Sequence, residues 1–172
     1  MADNPSKDIP YDWSRFVQRV NINSDLETIY HAWATKEGLE TWFLRKAIFT
    51  NAGLATNPAD FVHKGDLYEW YWHAWGDDTV EKGMILEANG KDRIKFSFGK
   101  AGEVTVTVKT EPGALIVELV QEKIPLDEKS EVSFHVGCTK GWVFYMANLK
   151  SILEGGIDLR NKNVTLKNMI NA

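Results

Sequence analysis

The chain carries a single cysteine, Cys138, in 172 residues. A lone thiol excludes an internal disulfide and fits a reducing compartment. Long apolar runs are missing too, and none approaches the ~20 residues that span a bilayer. The first eight residues, Met-Ala-Asp-Asn-Pro-Ser-Lys-Asp, are polar and hold no hydrophobic segment of the secretory kind. The cytoplasm is therefore the expected location, with no membrane partner. Charge of one sign is also lacking: the net charge is −4 with both signs interspersed. A nucleic-acid partner calls for a basic stripe, and Arg45-Lys46 and Arg160 to Lys162 are too short to form one. His31, His63, His73 and His135 have no ligand spacing and no cysteine pair beside them, so no metal is expected. Gly99-Lys-Ala-Gly102 reads as a hairpin turn rather than a phosphate loop, and no cofactor is implied.

What the chain has in excess is tryptophan, seven residues at 13, 33, 42, 70, 72, 75 and 142. An indole is bulky and its N–H needs a partner when buried. Such a set either fills a heavily aromatic core or lines a cavity within one.

Ser14 to Ile22 alternates and predicts a strand. Ser24-Asp-Leu-Glu27 fits a capping box, with Ser24 as the cap, ahead of a helix over about 25–34. Thr35 is a second N-cap, opening a short helix to Trp42 that Gly38 weakens. Past Phe43 the period changes from helical to two. Arg45 to Thr50 is a strand, and Asn51 to Lys64 reads as a loop. Tyr68–Trp75, Val80–Ala88, Arg93–Phe98, Glu103–Thr110 and Leu115–Glu122 follow as strands, separated by turn residues such as Asn89-Gly90 and Pro112-Gly113. Ile94, Phe96 and Phe98 oppose Arg93, Lys95 and Ser97, so one face is apolar and one wet. Residues 123–138 read as a loop in which Val132, Phe134 and Val136 can add a strand. From Thr139 to Glu154, Trp142, Tyr145, Met146, Leu149, Ile152 and Leu153 mark one helical stripe that Gly155-Gly156 ends.

These elements predict an α+β fold of the helix-grip kind: a curved antiparallel sheet of six to seven strands around a long C-terminal helix, with two short helices after strand 1. Residues 1–13 are an N-terminal arm, 14–156 the domain and 157–172 a C-terminal tail.

The same order and several strings resemble the activators of the heat-shock protein 90 ATPase, in the form of their C-terminal domain, within the START-like, birch-pollen-allergen-like superfamily. The strings are Val20-Asn-Ile-Asn-Ser24 leading into Ile29-Tyr-His-Ala-Trp33, then Gly38-Leu-Glu-Thr-Trp-Phe43, and Gly65-Asp-Leu-Tyr-Glu-Trp-Tyr-Trp72. Gly141-Trp142 followed by Asn148-Leu-Lys-Ser-Ile-Leu-Glu154 completes the set. The resemblance implies the START-like fold, and it implies a chaperone as a partner.

Cys138 follows His135 by three residues, but a Cys–His nucleophile needs a spatial contact, and a small buried thiol near the helix start is the plainer reading. A helix N-terminus there would acidify it. No residue is assigned a catalytic role. Glu69 shares a strand face with Tyr71 and His73 and is expensive to bury unpaired, which sends Tyr68, Trp70 and Trp72 inward. The expected ligand pocket is then lined by Tyr68, Trp70, Trp72, Phe96, Phe98, Trp142, Met146 and Leu149, with the Tyr68 hydroxyl and the indole N–H groups as polar handles. Three classes of function stay open: a module binding a hydrophobic or aromatic small molecule, a chaperone-associated interaction module, and an enzyme of the cyclase or hydrolase sort. An enzyme should place an ionisable group among the pocket rings. A chaperone partner should show as an apolar patch or charged stripe on the sheet's outer face.

Overall fold

The computed structural model describes residues 11–73, 75–166 and 169–171. Strand β1 spans Phe16–Ile22, and helices α1 (Leu26–Ala34) and α2 (Lys36–Trp42) follow it. The remaining strands are β2 (Lys46–Asn51), β3 (Leu54–Ala55), β4 (Leu67–Tyr71), β5 (Glu81–Ala88), β6 (Arg93–Ser97), β7 (Glu103–Glu111) and β8 (Ala114–Glu122). A short helix α3 (Glu128–Ser130), a π-helical stretch (Glu131–Val136) and helix α4 (Gly137–Leu153) end the regular structure. Every strand pair is antiparallel, in the order β1-β8-β7-β6-β5-β4-β2-β3. Seven strands match the predicted sheet, and the two-residue β3 lies within the segment expected to be loop.

The order has a mechanical consequence. β1 and β2 lie toward opposite ends of the sheet, so α1 and α2 must carry the chain across between them. A bulge between Ile85 and Glu87 bends β5 and adds to the curl. The concave face is apolar: Ile85, Ile94, Phe96, Val104, Val106, Val117 and Leu119 are buried there. Trp142, Met146 and Leu149 of α4 close it, and Trp33, Leu39 and Trp42 of the short helices join the same core. The convex face is wet and its charges are matched across strands. Lys95 pairs with Glu103 and Glu122, Lys123 with Glu103, Lys109 with Glu118, and Lys82 with Glu69. Exposed pairs of this kind contribute roughly 0–1 kcal/mol each. They keep the face soluble more than they hold the fold.

Three local expectations are corrected. The cap of α1 is Asp25, not Ser24: its Oδ1 accepts from the Thr28 N–H at 2.8 Å and its Oδ2 from the Thr28 hydroxyl at 2.7 Å. A carboxylate one position nearer the helix outcompetes the serine because it holds both groups of Thr28. Thr35 does cap α2, accepting from Gly38 N–H at 2.9 Å. The segment read as a loop that can add a strand over Val132 to Val136 is helix. Asp127 accepts from Ser130 N–H at 3.0 Å and starts a helical run with αR backbone at Ser130, Glu131, Val136 and Gly137. The alternation of Val132, Phe134 and Val136 marks no sheet face, since Val132 is exposed and His135, not its neighbours, is buried. Third, β4 stops at Tyr71, short of the predicted Trp75.

The segments flanking the domain make specific contacts with it. Residues 1–10 of the predicted arm lie outside the described residues, but Tyr11 and Trp13 are tied down. Tyr11 Oη meets His135 Nε2 at 2.8 Å, and the Trp13 carbonyl meets His135 Nδ1 at 3.0 Å. In the tail, the Arg160 side chain is buried at 3% exposure. It donates to the Thr41 carbonyl at 2.6 Å, the Leu44 carbonyl at 3.0 Å and the Glu40 carbonyl at 3.2 Å. α2 has no basic residue in its last turn, so a residue 118 positions later caps it, counting from Trp42 to Arg160. Asp158 steers the guanidinium and is itself bonded by Asn148, the buried asparagine of α4 that also donates to the Trp42 carbonyl at 2.7 Å.

Two substitutions test this account by denaturant melts. Trp142→Ala should cost ~3–5 kcal/mol, as large-to-small core changes do; a loss under about 1 kcal/mol would mean the ring is not at the helix–sheet contact. Arg160→Ala should also cost ~3–5 kcal/mol, because it removes the buried partner of Asp158 and leaves three carbonyls without their donor. An effect within about 0.5 kcal/mol would show the tail to be a loose appendage.

Candidate functional site

Helix α4 is not apolar along the whole of its inner side. Ser133, Gly137, Gly141 and Tyr145 recur every four residues, so three small side chains precede the first large one on that stripe. Cys138 and Trp142 stand beside them. Built onto Gly141, a Cβ would meet nothing within 4 Å. The space it would enter belongs to a cleft of about 350 Å³ between α4 and the sheet, walled by Phe43, Trp72, Trp75, Phe98, Trp142 and Tyr145. The rings brace one another. Phe43 stacks on Trp142 at 5.1 Å and meets Tyr145 at 4.8 Å and Trp72 at 5.7 Å edge-on, while Phe98 lies 5.7 Å from Trp142. Trp75 is 59% exposed and stands at the open side with Ser133 and Gly137.

Of the eight residues expected to line a pocket, Trp72, Phe98 and Trp142 stand in this wall. Tyr68, Trp70, Phe96 and Leu149 point inward but are close-packed. Tyr68 stacks on Trp70 at 4.0 Å, and Trp70 meets Phe96 at 5.0 Å. The Tyr68 ring lies across Gly83, where a Cβ would come within 2.5 Å of its hydroxyl. Sequence alternation gives a side chain's face but not its neighbour's bulk, so a glycine opposite Tyr68 turned lining into filling. Met146 sits a turn further along α4, on a separate groove with Gln18, Val20 and Val143. The expected polar handles are mostly used internally. The Tyr68 hydroxyl donates to the Ser97 carbonyl, and the Trp142 indole donates to Gln121 Oε1 at 2.8 Å. The Trp42 indole donates to the Ala32 carbonyl at 2.9 Å. The buried N–H groups of Trp33 and Trp70 have no partner among the described residues.

Cys138 and His135 do not form a pair. Both ring nitrogens of His135 are taken by Tyr11 and Trp13, and the thiol lies inside a helix that began at residue 128. Burial pushes the Cys138 thiol up, against a hydrogen bond with Gln121, so the expected acidification by a helix start is not realised. Glu69 faces outward as expected, bonded to Lys82 and to the Tyr71 hydroxyl. His73 lies past the end of β4; burial first, then the charges of Arg160 and Lys162, lower its pKa. Among the described residues no three His, Cys, Asp or Glu side chains converge to hold a metal ion. No helix among them is long and apolar enough to cross a membrane.

One ionisable group at the concave face escaped the sequence reading. Glu81 is the register partner of Trp70, and directly opposed residues share a face. On β5 it falls in step with Gly83 and Ile85, while Lys82 and Met84 point to solvent. Burial raises its pKa above 4.5. The signal was present as a carboxylate on the apolar phase of a strand.

A curled antiparallel sheet closed by a C-terminal helix, with two short helices after the first strand, defines a helix-grip protein of the START-like superfamily. Residues 23–154 match the family described as Activator of Hsp90 ATPase homolog 1-like protein, and the chain belongs to that family. Solved structures share the fold at low identity. A Staphylococcus saprophyticus protein is 17% identical over 85% of this chain and 96% of its own, with a TM-score of 0.66. The Aha1 dimer of Colwellia psychrerythraea is 16% identical over 83% and 97%, with a TM-score of 0.61. A Mesorhizobium loti protein is 16% identical over 81% and 96%, with a TM-score of 0.62. No curated protein matches the chain by sequence.

Glu81 yields a pH prediction. Its folded pKa is raised, so the neutral form is favoured on folding and ionisation costs stability as pH rises through the folded value. Glu81→Gln should therefore stabilise the protein near pH 7, and the gain should shrink to nothing below the ordinary value of 4.5. Thermal melts at the two pH values check this. An equal gain at both, or a loss near neutrality, contradicts the burial of the carboxyl.

Proposed function

We propose that this chain is a binding module for a hydrophobic or aromatic small molecule, held in the cleft between α4 and the sheet. The observation that carries the reading is the empty space over Gly141. A glycine inside a helix costs about 1 kcal/mol relative to alanine, and α4 keeps Gly137 and Gly141 on the side facing the aromatic wall. Fold stability alone favours alanine or leucine there. A cleft of about 350 Å³ lies in the range of small-molecule sites. Its walls of Trp72, Phe98 and Trp142 suit a flat apolar body, and the cytoplasm is the compartment that a single thiol fits.

A chaperone-associated role is the second reading, and it draws on the family description and on the Colwellia protein's name. The convex face carries the charged stripe that such a role calls for, but its Lys and Glu side chains are paired with one another across β6, β7 and β8. The cleft has no comparable internal satisfaction, which favours the small-molecule reading.

Native mass spectrometry of freshly purified protein should reveal a co-purified small molecule. The neutral fluorophore N-phenyl-1-naphthylamine should bind the emptied protein and brighten. Gly141→Phe, which fills the cleft, should abolish binding while the circular dichroism spectrum is retained. Gly141→Ala should raise stability by ~0.5–1 kcal/mol. Fluorophore binding that survives Gly141→Phe would place it elsewhere and remove the basis for the proposal.

A further inference from the structure

The described carboxylates on the strands fall into two groups. Those on the convex face have cations: Glu69 has Lys82, Glu103 has Lys95 and Lys123, and Glu118 has Lys109. Glu81, on the concave side, makes no hydrogen bond or ion pair with any described residue. Its neighbour Lys82 turns to the other face, and Lys100 across the turn is exposed and forms no ion pair with a described residue. The carboxylate lies at Gly99, where a Cβ would come within 2.7 Å of Oε1. Gly99 has φ +47°, so a side chain there is disfavoured twice, by space and by backbone. The residue before it is Phe98, part of the cleft wall, while Glu81 itself is not among the side chains that line the cleft, so a ligand must reach past Phe98 to meet it. Glu81 is also close enough to Cys138, on the opposite wall, for its charge to raise the thiol's pKa further after burial has done so.

We propose that Glu81 makes the cleft selective for a cationic aromatic ligand, an amine whose ring lies against Phe98 and Trp142 and whose ammonium meets the Glu81 carboxylate. The inference rests on the binding reading above and adds the ligand's charge to it. A half-buried carboxylate without a cation is unfavourable by itself, and a ligand ammonium supplies the missing partner through a charge-assisted hydrogen bond. The faces of Trp72, Phe98 and Trp142 attract the same charge through their ring quadrupoles. Both effects repel or ignore an anion, so fatty acids and other carboxylates are disfavoured occupants.

Calorimetric titration with three indoles of similar size separates charge from shape: tryptamine, a cation; skatole, neutral; and indolepropionate, an anion. Tryptamine should bind about tenfold more tightly than skatole, the size of one charge-assisted contact, and indolepropionate most weakly. Glu81→Gln should bring tryptamine to within about twofold of skatole and leave skatole unchanged, a margin under 0.5 kcal/mol. Gly141→Phe, or Gly141→Leu if the larger residue unfolds the protein, should abolish binding of all three. Equal affinities in the unaltered protein, or a tryptamine preference that survives Glu81→Gln, overturn the charge inference while the cleft reading stands. Binding of none of the three by folded protein overturns the cleft reading as well.

Discussion

The indole of Trp142 is where the sheet, the long helix and the short helices meet. Its N–H is buried and must find an acceptor, and Gln121 on β8 supplies one at 2.8 Å. Gln121 is itself fully buried and spends its amide N–H on the Ala101 carbonyl. An unpaired buried amide or indole costs about 1–3 kcal/mol, so rolling or sliding α4 against the sheet breaks this bond and leaves the indole N–H without its acceptor. The ring then sets its neighbours: Phe43 stacks on it from the end of α2, Trp33 of α1 lies 6.0 Å away, and Phe98 approaches from the end of β6. A curled sheet offers one concave apolar face and one helix to cover it, and this bond fixes how the helix lies in the curl.

With α4 fixed, the cleft follows from what its side chains omit. Close packing is the rule for an interior, and a gap of this size forfeits dispersion contacts along its whole lining. Here the gap lies over Ser133, Gly137 and Gly141, where a π-helical stretch runs into α4, and wide turns of that kind are frequent at functional sites. The aromatic walls do not collapse inward because each ring is held from behind by another. Tyr68, Trp70 and Phe96 form the packed layer that supports Phe98, and Phe43 supports Trp72. The residues expected to line the pocket therefore divide into wall and buttress.

The far end of the molecule is closed by a polar device of the same economy. Arg160 satisfies three carbonyls at the end of α2, Asp158 holds the arginine, and Asn148 holds Asp158 and the Trp42 carbonyl. Burial opposes the Asp158 charge, and the bonds from Arg160 and Lys162 hold its pKa well below the usual carboxylate range nonetheless. Asn148 and Trp142 belong to one helix, six residues apart. The anchor on the sheet and the anchor on α2 thus act on the same rigid rod.

Element types and the antiparallel fold class were determined by the sequence itself, because they depend on local periods: two in Arg93–Phe98 and Glu103–Thr110, near 3.6 from Trp142 to Leu153. So was the inward phase of Tyr68, Trp70 and Phe96. The sequence failed where a signal was short or its consequence was distant. Asp25 displaced the expected cap and Asp127 started an unexpected helix, each through hydrogen bonds to the residue three positions on, and Val132 to Val136 alternated without being a strand. Which rings line space and which fill it was decided by tertiary structure alone. That outcome depends on Gly83 lying under Tyr68 and on Gly141 facing nothing, and volumes across a sheet–helix gap are not encoded in either partner's own pattern. The tertiary structure also decided that Arg160 caps a helix ended at residue 42, and that Glu81 shares a face with Trp70. Both are register facts, fixed when strands and ends dock, and no local rule contains them.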